Sequence, residues 1–318
     1  MAIVVAFPIP TAIEVELAKH REVRVWREDG PMPKATLLEW LEGAWGLLTT
    51  LTNPVDLEVL EAGPLLKVVS TVSVGVDHID VEAAANLGIK VGHTPGVLTD
   101  STADLALGLM LAVRRRIAEG HALVSDGAWG TEWKPNFMLG QDLSYATVGL
   151  IGLGPIAQAV ASRLKAFSGI RILGWNRTPK VLPGIEMMPL DALIADSDIV
   201  SLHVALTPDT AGLISRGRLA AMRDGATLIN TARGRLVNEL ALAEELIAGR
   251  LSAGLDVYSE EPLPSNHPLI GVPNAVLVPH LGSATERTRR AMFELAIHNL
   301  VAGVRERDLP AEFLVRPS

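Results

Sequence analysis

The sequence predicts an α/β protein built from two doubly wound parallel sheets. Short apolar runs rich in Val, Leu and Ile alternate with longer segments of helical period, as is typical of parallel strands that are buried on both faces. A second series of alternating segments begins at Thr147. The length of 318 residues corresponds to about two domains of ordinary size.

The first hundred residues contain the strands of the first predicted sheet. They are the apolar runs Ala2–Phe7, Val23–Trp26, Gly46–Thr50, Lys67–Thr71 and Lys90–His93. The helical segment Val81–Leu87 precedes Gly88, which suits the left-handed residue that ends many helices. An amphipathic helix is expected over 101–116, with Asp100 as its N-cap.

The second series predicts six strands, the number that a complete dinucleotide-binding sheet requires. They are Thr147–Ile151, Ile170–Trp175, Ile199–Val204, Ala226–Asn230, Ala253–Val257 and Ala275–Val278. The Trp- and Gly-rich stretch over 127–135 has no period and is expected to be a loop or arm. A final helix over 285–305 would run back toward the first domain.

Composition excludes several classes of function. The net charge of −8 gives no global basic footprint for nucleic acid, and the absence of cysteine rules out disulfides and thiolate zinc sites. Asp196 and Asp198 are too few ligands for a metal site. Apolar runs such as Leu105–Val113 fall well short of the ~20 residues that a membrane helix needs, and the N-terminus lacks a basic leader. We therefore expect a cytoplasmic protein with no metal, no membrane and no nucleic-acid partner.

The strongest motif is a glycine-rich turn after the strand that ends at Ile151. Gly152, Gly154 and Ala157 give the pattern G-x-G-x-x-A before a helical segment. The first glycine permits the tight turn, the second lets the backbone approach a pyrophosphate, and the small third residue packs the helix on the strand. Pro155 suits the first helical position. An ordinary strand–helix turn is the alternative, but the context favours a Rossmann dinucleotide-binding domain.

The end of the next predicted strand bears on the choice of cofactor. NAD sites place an acidic residue there to hold the ribose hydroxyls, whereas this chain has Asn176, Arg177 and Thr178, with Lys180 nearby. A guanidinium would bind a 2′-phosphate that a carboxylate would repel. The sequence predicts NADPH/NADP as the preferred cofactor and NADH as the weaker alternative.

Three charged or titratable residues follow the last three predicted strands, where open α/β sheets bind their ligands. Arg233 can hold a carboxylate in a bidentate manner, His280 can donate a proton, and Glu261 can favour the imidazolium form. This set suits the reversible reduction of a 2-keto acid. Asp256, inside a strand end, is the competing carboxylate, and we expect it at the nicotinamide amide instead.

Three further segments accompany these residues: Val74-Gly-Val-Asp-His78, Thr94-Pro-Gly-Val-Leu-Thr-Asp100 and Pro279-His-Leu-Gly-Ser-Ala-Thr285. In these residues and segments the chain resembles the D-isomer-specific 2-hydroxyacid dehydrogenase family, and the resemblance extends over nearly its whole length. The resemblance is greatest to its glyoxylate/hydroxypyruvate reductases. It implies a Rossmann domain over 98–285 inserted into a flavodoxin-like substrate domain made of 1–97 and 286–318. It also assigns catalysis to Arg233, Glu261 and His280.

The resemblance further implies the binding residues. Substrate contacts would come from Thr50, Leu51, the backbone amides of Val74 and Gly75, Arg233, Ser283 and, across a homodimer, Trp133 of the partner subunit. Cofactor contacts would come from Thr102, Gly152, Gly154, Pro155, Ile156, Asn176, Arg177, Thr178, Thr231, Ala232, Asp256, His280 and Ser283.

The expected function is NADPH-dependent reduction of glyoxylate to glycolate and of hydroxypyruvate to D-glycerate, with His280 as general acid. The partners would be a small 2-keto or 2-hydroxy acid and a second copy of the chain. One alternative is an NAD-dependent D-lactate or broad D-2-hydroxyacid dehydrogenase. Another is a dinucleotide-sensing corepressor, because the same fold also serves as a binding module.

Overall fold

The computed structural model describes residues 2–130 and 132–317. In chain order its strands are β1 Ala2–Val5, β2 Glu22–Val25, β3 Ala44–Thr49, β4 Val68–Thr71, β5 Lys90–Gly92, β6 Thr147–Ile151, β7 Arg171–Trp175, β8 Glu186–Met187, β9 Ile199–Leu202, β10 Thr227–Asn230, β11 Ser252–Leu255, β12 Ala275–Leu277 and β13 Leu314–Val315. Its α-helices are α1 Thr11–Ala18, α2 Lys34–Leu41, α3 Leu57–Glu61, α4 Val81–Asn86, α5 Thr99–Arg114, α6 Ile117–Ser125, α7 Pro155–Leu164, α8 Leu190–Asp196, α9 Arg216–Ala221, α10 Glu239–Ile247 and α11 Glu286–Val304.

The chain divides into two compact units. The first consists of the residues up to Leu98 and those from Thr285 onward, and the second is Thr99–Ala284. The chain divides between residues 98 and 99 and between residues 284 and 285. The predicted domain boundaries, between 97 and 98 and between 285 and 286, each differ from these by one residue. The second unit is thus an insertion in the sequence of the first.

The first unit contains a sheet of six strands among the described residues, in the order β2-β1-β3-β4-β5-β13. The first five strands are parallel, in the 2-1-3-4-5 order of flavodoxin-like folds, and β13 adds an antiparallel edge strand that the sequence analysis did not predict. Helix α11 covers one face of this sheet through Met292, Ala296 and Leu300. Its approach is close, because a Cβ on Gly303 would lie 2.4 Å from the Val68 side chain.

The second unit contains a sheet in the order β12-β11-β10-β9-β6-β7-β8, all of whose paired strands are parallel. Apolar side chains pack on both faces: α8 and α10 cover one through Leu193 and Leu242, and α5 and α7 cover the other through Met110 and Val160. The strand order reverses between β6 and β9, so a ligand is expected at the carboxyl ends of the strands there. Both units confirm the predicted fold class.

The segment that follows α5 differs from the expectation. Helix α5 begins at Thr99, so Asp100 lies in its first turn and is not its N-cap. The chain turns at Arg116, which has a left-handed φ of +54°, and continues into α6, a helix that the sequence analysis missed. Helix α6 has no buried residue, so it lacks the buried apolar stripe from which a helix is recognised. No helix in the described part of the chain is long and apolar enough to span a membrane.

Candidate active site

The glycine turn between β6 and α7 has the geometry that its sequence predicted. Gly152 has a φ of +90°, and a Cβ there would lie 2.7 Å from the backbone oxygen of His203, so only glycine fits. Helix α7 begins at Pro155 with Gly154 as its N-cap, and Ala157 is fully buried. The N-terminal N–H groups of α7 point toward the turn, as an anion site requires.

The surroundings of Gly154 fit a bound dinucleotide. A Cβ at Gly154 would meet no protein atom within 4 Å, so the fold itself does not require glycine there. A backbone that must stay accessible to a pyrophosphate does require it. The two glycines of one motif therefore differ: the fold requires glycine at position 152 but not at position 154, where the contact with a pyrophosphate stays a prediction.

The residues after β7 hold the glycine turn in place. The side-chain oxygen of Asn176 accepts the N–H of Leu153 at 3.0 Å, and Lys180 Nζ donates to the Leu153 carbonyl at 3.3 Å. Arg177 and Thr178 are exposed at the same edge. Asn176 and Lys180 thus orient the turn, and the contact of Arg177 with a 2′-phosphate stays a prediction.

Glu261 and His280 form the central pair of the site. Glu261 Oε2 lies 2.7 Å from His280 Nδ1, and Glu261 Oε1 accepts the backbone N–H of Tyr258 at 2.9 Å. Burial raises the pKa of Glu261, but the hydrogen bonds from His280 and Tyr258 and the charges of His280 and Arg233 outweigh it and leave the pKa below its ordinary value. The carboxylate therefore stays ionised, and Nε2 of His280 is the ring nitrogen that can face a substrate.

Arg233 stands on a turn that Asn230 fixes. The buried Asn230 donates to the Arg233 carbonyl at 2.8 Å and accepts the N–H of Ala232 at 3.0 Å. Gly234 then passes so close to the loop after β11 that a Cβ would lie 1.9 Å from the carbonyl carbon of Tyr258. The turn that carries Arg233 and the loop that carries Glu261 are therefore in direct backbone contact.

Asp256 holds the backbone around His280. Its carboxylate accepts the N–H of Leu281 at 2.5 Å and of Gly282 at 2.9 Å, and its carbonyl accepts the N–H of His280 at 2.9 Å. Burial raises the pKa of Asp256. These bonds maintain the left-handed conformation of His280, whose φ is +53° and which is unfavourable for a non-glycine residue. The contact of Asp256 with a nicotinamide amide stays a prediction.

The other predicted cofactor residues of the second unit lie in the first turns of α5 and α7 or in the segments that follow β10 and β12. Thr102 is buried and donates to the Gly282 carbonyl at 3.1 Å. Thr231 has a buried hydroxyl oxygen for which the described residues supply no partner, and such a group fits an absent ligand. Ala232 and Ser283 are half-buried, as is Ile156 at the start of α7.

The predicted substrate residues of the first unit follow β3 and β4. Thr50 and Leu51 come directly after β3, and Val74 and Gly75 follow β4 closely. The carbonyls of Val74 and Gly75 accept hydrogen bonds from His93 Nδ1 at 2.9 Å and Ser73 Oγ at 2.7 Å. These bonds orient the peptide groups of the Val74 loop, and the substrate contacts stay predictions.

The Trp- and Gly-rich segment is exposed in the described chain. Trp129 and Trp133 are 59% and 82% exposed, which is unusual for tryptophan.

No group of three or more His, Cys, Asp or Glu side chains in 2–130 and 132–317 is arranged to hold a metal ion.

Sequence reasoning missed three residues of the site: Asn230, Glu239 and Tyr258. Asn230 binds the backbone of Arg233, Glu239 binds the backbone of Ser259 in the loop that carries Glu261, and the backbone N–H of Tyr258 binds the Glu261 carboxylate. Tyr258 is buried, and its hydroxyl lies 3.2 Å from the Leu255 carbonyl and 3.1 Å from that of Val278. A polar residue at the end of a buried strand was the available signal for Asn230, and nothing local marked the other two.

The fold and the site define an oxidoreductase that uses a nicotinamide dinucleotide. The family model of the D-isomer specific 2-hydroxyacid dehydrogenase, NAD binding domain, matches residues 107–282. The chain belongs to the D-isomer-specific 2-hydroxyacid dehydrogenase family.

This chain is similar to known proteins over most of its length. It is 43% identical to a glyoxylate reductase/hydroxypyruvate reductase of Mus musculus over 98% of this chain and 97% of that protein. It is 46% identical to a glyoxylate reductase of Thermofilum pendens over 89% of this chain and 85% of that protein. A crystal structure of a Thermus thermophilus protein has a TM-score of 0.91 and 48% identity, and the match covers 99% of this chain and 100% of the other.

Proposed function

We propose that this protein reduces small 2-keto acids with NADPH, converting glyoxylate to glycolate and hydroxypyruvate to D-glycerate. The observation that carries the proposal is the 2.7 Å contact between Glu261 and His280. The positive charge of Arg233 also helps to lower the pKa of the Glu261 carboxylate. The relatives named glyoxylate reductase support the choice of substrate.

The reaction needs a hydride and a proton, and this chain handles the proton. NADPH, held at the glycine turn of Gly152 and Gly154, would supply the hydride for the keto carbon. Arg233 holds the substrate carboxylate and polarises the adjacent carbonyl. His280 gives the proton on Nε2 to the carbonyl oxygen, so that the ketone becomes a hydroxyl. Glu261 accepts a hydrogen bond from Nδ1 of His280 and stabilises the imidazolium until the Nε2 proton is transferred to the substrate.

The preference for NADPH rests on the edge of the sheet after β7. The residues 176–180 contain no carboxylate, so nothing there would repel a 2′-phosphate, and Arg177 is exposed. Asn176 uses its side-chain oxygen on Leu153, so we assign it to supporting the turn. Arg177 and Thr178 are left to contact the phosphate.

The test is a matrix of kcat/KM values for glyoxylate, hydroxypyruvate and pyruvate, each with NADPH and with NADH. We expect kcat/KM to be higher for glyoxylate and for hydroxypyruvate than for pyruvate, and higher with NADPH than with NADH. Pyruvate reduced best with NADH would favour the D-lactate dehydrogenase alternative. Negligible turnover of all three alongside tight NADPH binding would favour the corepressor alternative.

We also propose a homodimer in which Trp133 contributes to the partner's active site. The exposed tryptophans and the unburied helix α6 support an arm that packs on a second copy. Coexpression of Trp133→Ala chains with His280→Ala chains tests whether Trp133 of one subunit completes the active site of its partner. If Trp133 acts across the dimer, the mixed dimer has one intact site with the wild-type KM. If it acts within its own subunit, no intact site forms, and a monomer in sedimentation would remove the proposal. The cytoplasmic location stays a prediction.

A further inference from the structure

Glu261 lies in an irregular loop over 256–274 that joins β11 to β12. Its carboxylate must meet His280 Nδ1 within hydrogen-bond distance, although no helix or strand carries it. Loops of this length are ordinarily mobile unless other groups fix them. The site therefore requires something outside the loop to hold it.

One carboxylate from α10 contacts the loop at a residue before Glu261 and at a residue after it in the chain. Glu239, at the first position of α10, is 8% exposed. Its Oε1 accepts the N–H of Ser259 at 2.7 Å, two residues before Glu261. Its Oε2 lies 3.6 Å from His267 Nε2, six residues after Glu261.

The imidazole of His267 is oriented for this contact. Its Nδ1 accepts the N–H of Leu269 at 3.3 Å, so the neutral ring carries its hydrogen on Nε2, which faces Glu239. Leu269 is fully buried in the apolar cluster that includes Leu242 of α10. The far side of the loop is thus anchored to the same helix as the near side.

The near side connects directly to Glu261. Consecutive backbone N–H groups serve two carboxylates: that of Tyr258 donates to Glu261 at 2.9 Å and that of Ser259 donates to Glu239 at 2.7 Å. The two N–H groups belong to adjacent peptide units that meet at the Cα of Tyr258, so a displacement of Tyr258 would disturb both bonds. The position of the Glu261 carboxylate is therefore coupled to that of Glu239.

We infer that Glu239 is a positioning residue that holds Glu261 against His280 by bracing both sides of the catalytic loop. This inference rests on the proposed function, because it assigns Glu239 a part in proton delivery by His280. The charged groups facing Glu261 are His280 and Arg233, with Asp256 close enough to interact. Glu239 faces His267 and acts only through the loop.

The experiment compares Glu239→Ala, Glu239→Gln and His267→Ala with Glu244→Ala. Glu244 is the matched control because it lies on the same helix and pairs with Arg216 at the exposed surface. For Glu239→Ala we expect kcat for glyoxylate to fall about 10–100-fold while the KM for NADPH stays within about twofold. The alkaline limb of the kcat/KM profile should move about one unit toward acid, because the imidazolium loses its carboxylate.

Glu239→Gln keeps an oxygen for Ser259 and should recover most of kcat, whereas His267→Ala should show a smaller change in the same direction as Glu239→Ala. A second readout does not depend on turnover: the NMR titration of the His280 ring in the chain alone. Its midpoint should fall in Glu239→Ala and stay at the wild-type value in Glu244→Ala. If Glu239→Ala does not fold, the glutamine and His267 variants carry the test.

The two readouts separate the inference from the proposed function. An unmoved His280 midpoint with normal turnover overturns the inference and leaves the function. A lowered midpoint without turnover of any keto acid by the wild type supports the positioning role and overturns the function. Loss of thermal stability and kcat in Glu239→Ala with an unmoved midpoint and pH profile would show a structural role only, and would also overturn the inference.

Discussion

In the catalytic corner (residues 230–234, 256–261 and 278–282), Glu261 is bound by Tyr258 and His280, Asp256 binds the backbone that carries His280, and Asn230 fixes the turn of Arg233. At the nucleotide edge (residues 152–156 and 176–180), Arg177 and Thr178 are exposed, and a Cβ on Gly154 would meet open space. Both regions lie at the carboxyl ends of one sheet.

The difference reflects what each region has to do. Proton transfer depends on distances that must be correct before the substrate arrives, so the protein holds those groups with its own bonds. Recognition of a nucleotide phosphate can use exposed backbone and a flexible guanidinium, because the ligand itself completes the hydrogen bonds. Substitutions in the corner should therefore lower the rate, and those that disturb its backbone should also lower stability. Substitutions of the exposed Arg177 and Thr178 at the edge should affect cofactor affinity alone.

The largest effect is expected from Gly234→Ala. The new methyl group would overlap the Tyr258 carbonyl carbon at 1.9 Å, and backbone on both sides resists movement. We expect a loss of about 4 kcal/mol or more in the free energy of unfolding together with loss of glyoxylate reduction. Urea denaturation and kcat/KM measure the two effects, and Gly217→Ala, where a Cβ has ample room, is the control. A stable and active Gly234→Ala variant would show that the two loops are not tightly packed.

His280→Ala should be next in size and should affect rate without comparable loss of stability. Removal of the general acid is expected to lower kcat by about 10²–10⁴-fold, while the KM for NADPH stays near that of the wild type. Steady-state kinetics and circular dichroism measure activity and folding. A kcat near that of the wild type would remove His280 from the mechanism.

His203 lies between the two regions, at the end of β9, and gives a prediction for acid stability. Burial lowers the pKa of His203 to about 4, below its ordinary value of 6.5. Between these values the unfolded chain binds a proton that the folded chain does not, so stability falls as the pH falls. The loss can reach about 3 kcal/mol. Urea titrations from pH 7 to about 4 should show a shallower decline for His203→Gln, and the exposed His298→Gln should decline as the wild type does.

Arg177→Ala should give the smallest effect and one confined to the nucleotide edge. Loss of one charge-assisted contact to a 2′-phosphate should raise the KM for NADPH about tenfold and leave the KM for NADH and the stability unchanged. Arg216→Ala, on the surface of α9, is the control. Equal effects on both cofactors would show that Arg177 does not contact the 2′-phosphate.

The sequence predicted those parts of the fold that depend on local patterns. The buried strands and the glycine turn follow from apolar runs and from the spacing of Gly152, Gly154 and Pro155. Helix α6 and strand β13 were missed because neither has a buried apolar stripe or run. The Glu239–Ser259 contact could not be predicted, because it joins residues from two elements through a backbone N–H that any residue type supplies.

Helix α11 fills one face of the first sheet, and Gly303 allows it to reach Val68. During synthesis, the ribosome releases β1–β5 long before this helix exists. Val68, Leu48 and Ile3 therefore lack the cover that α11 provides while the whole inserted unit is made, and α1 is the only other helix of the described chain that contributes side chains to the same cluster. A chain that stops before Thr285 should leave this apolar face open to chaperones and proteases, while the inserted unit it has already produced keeps both faces of its own sheet covered.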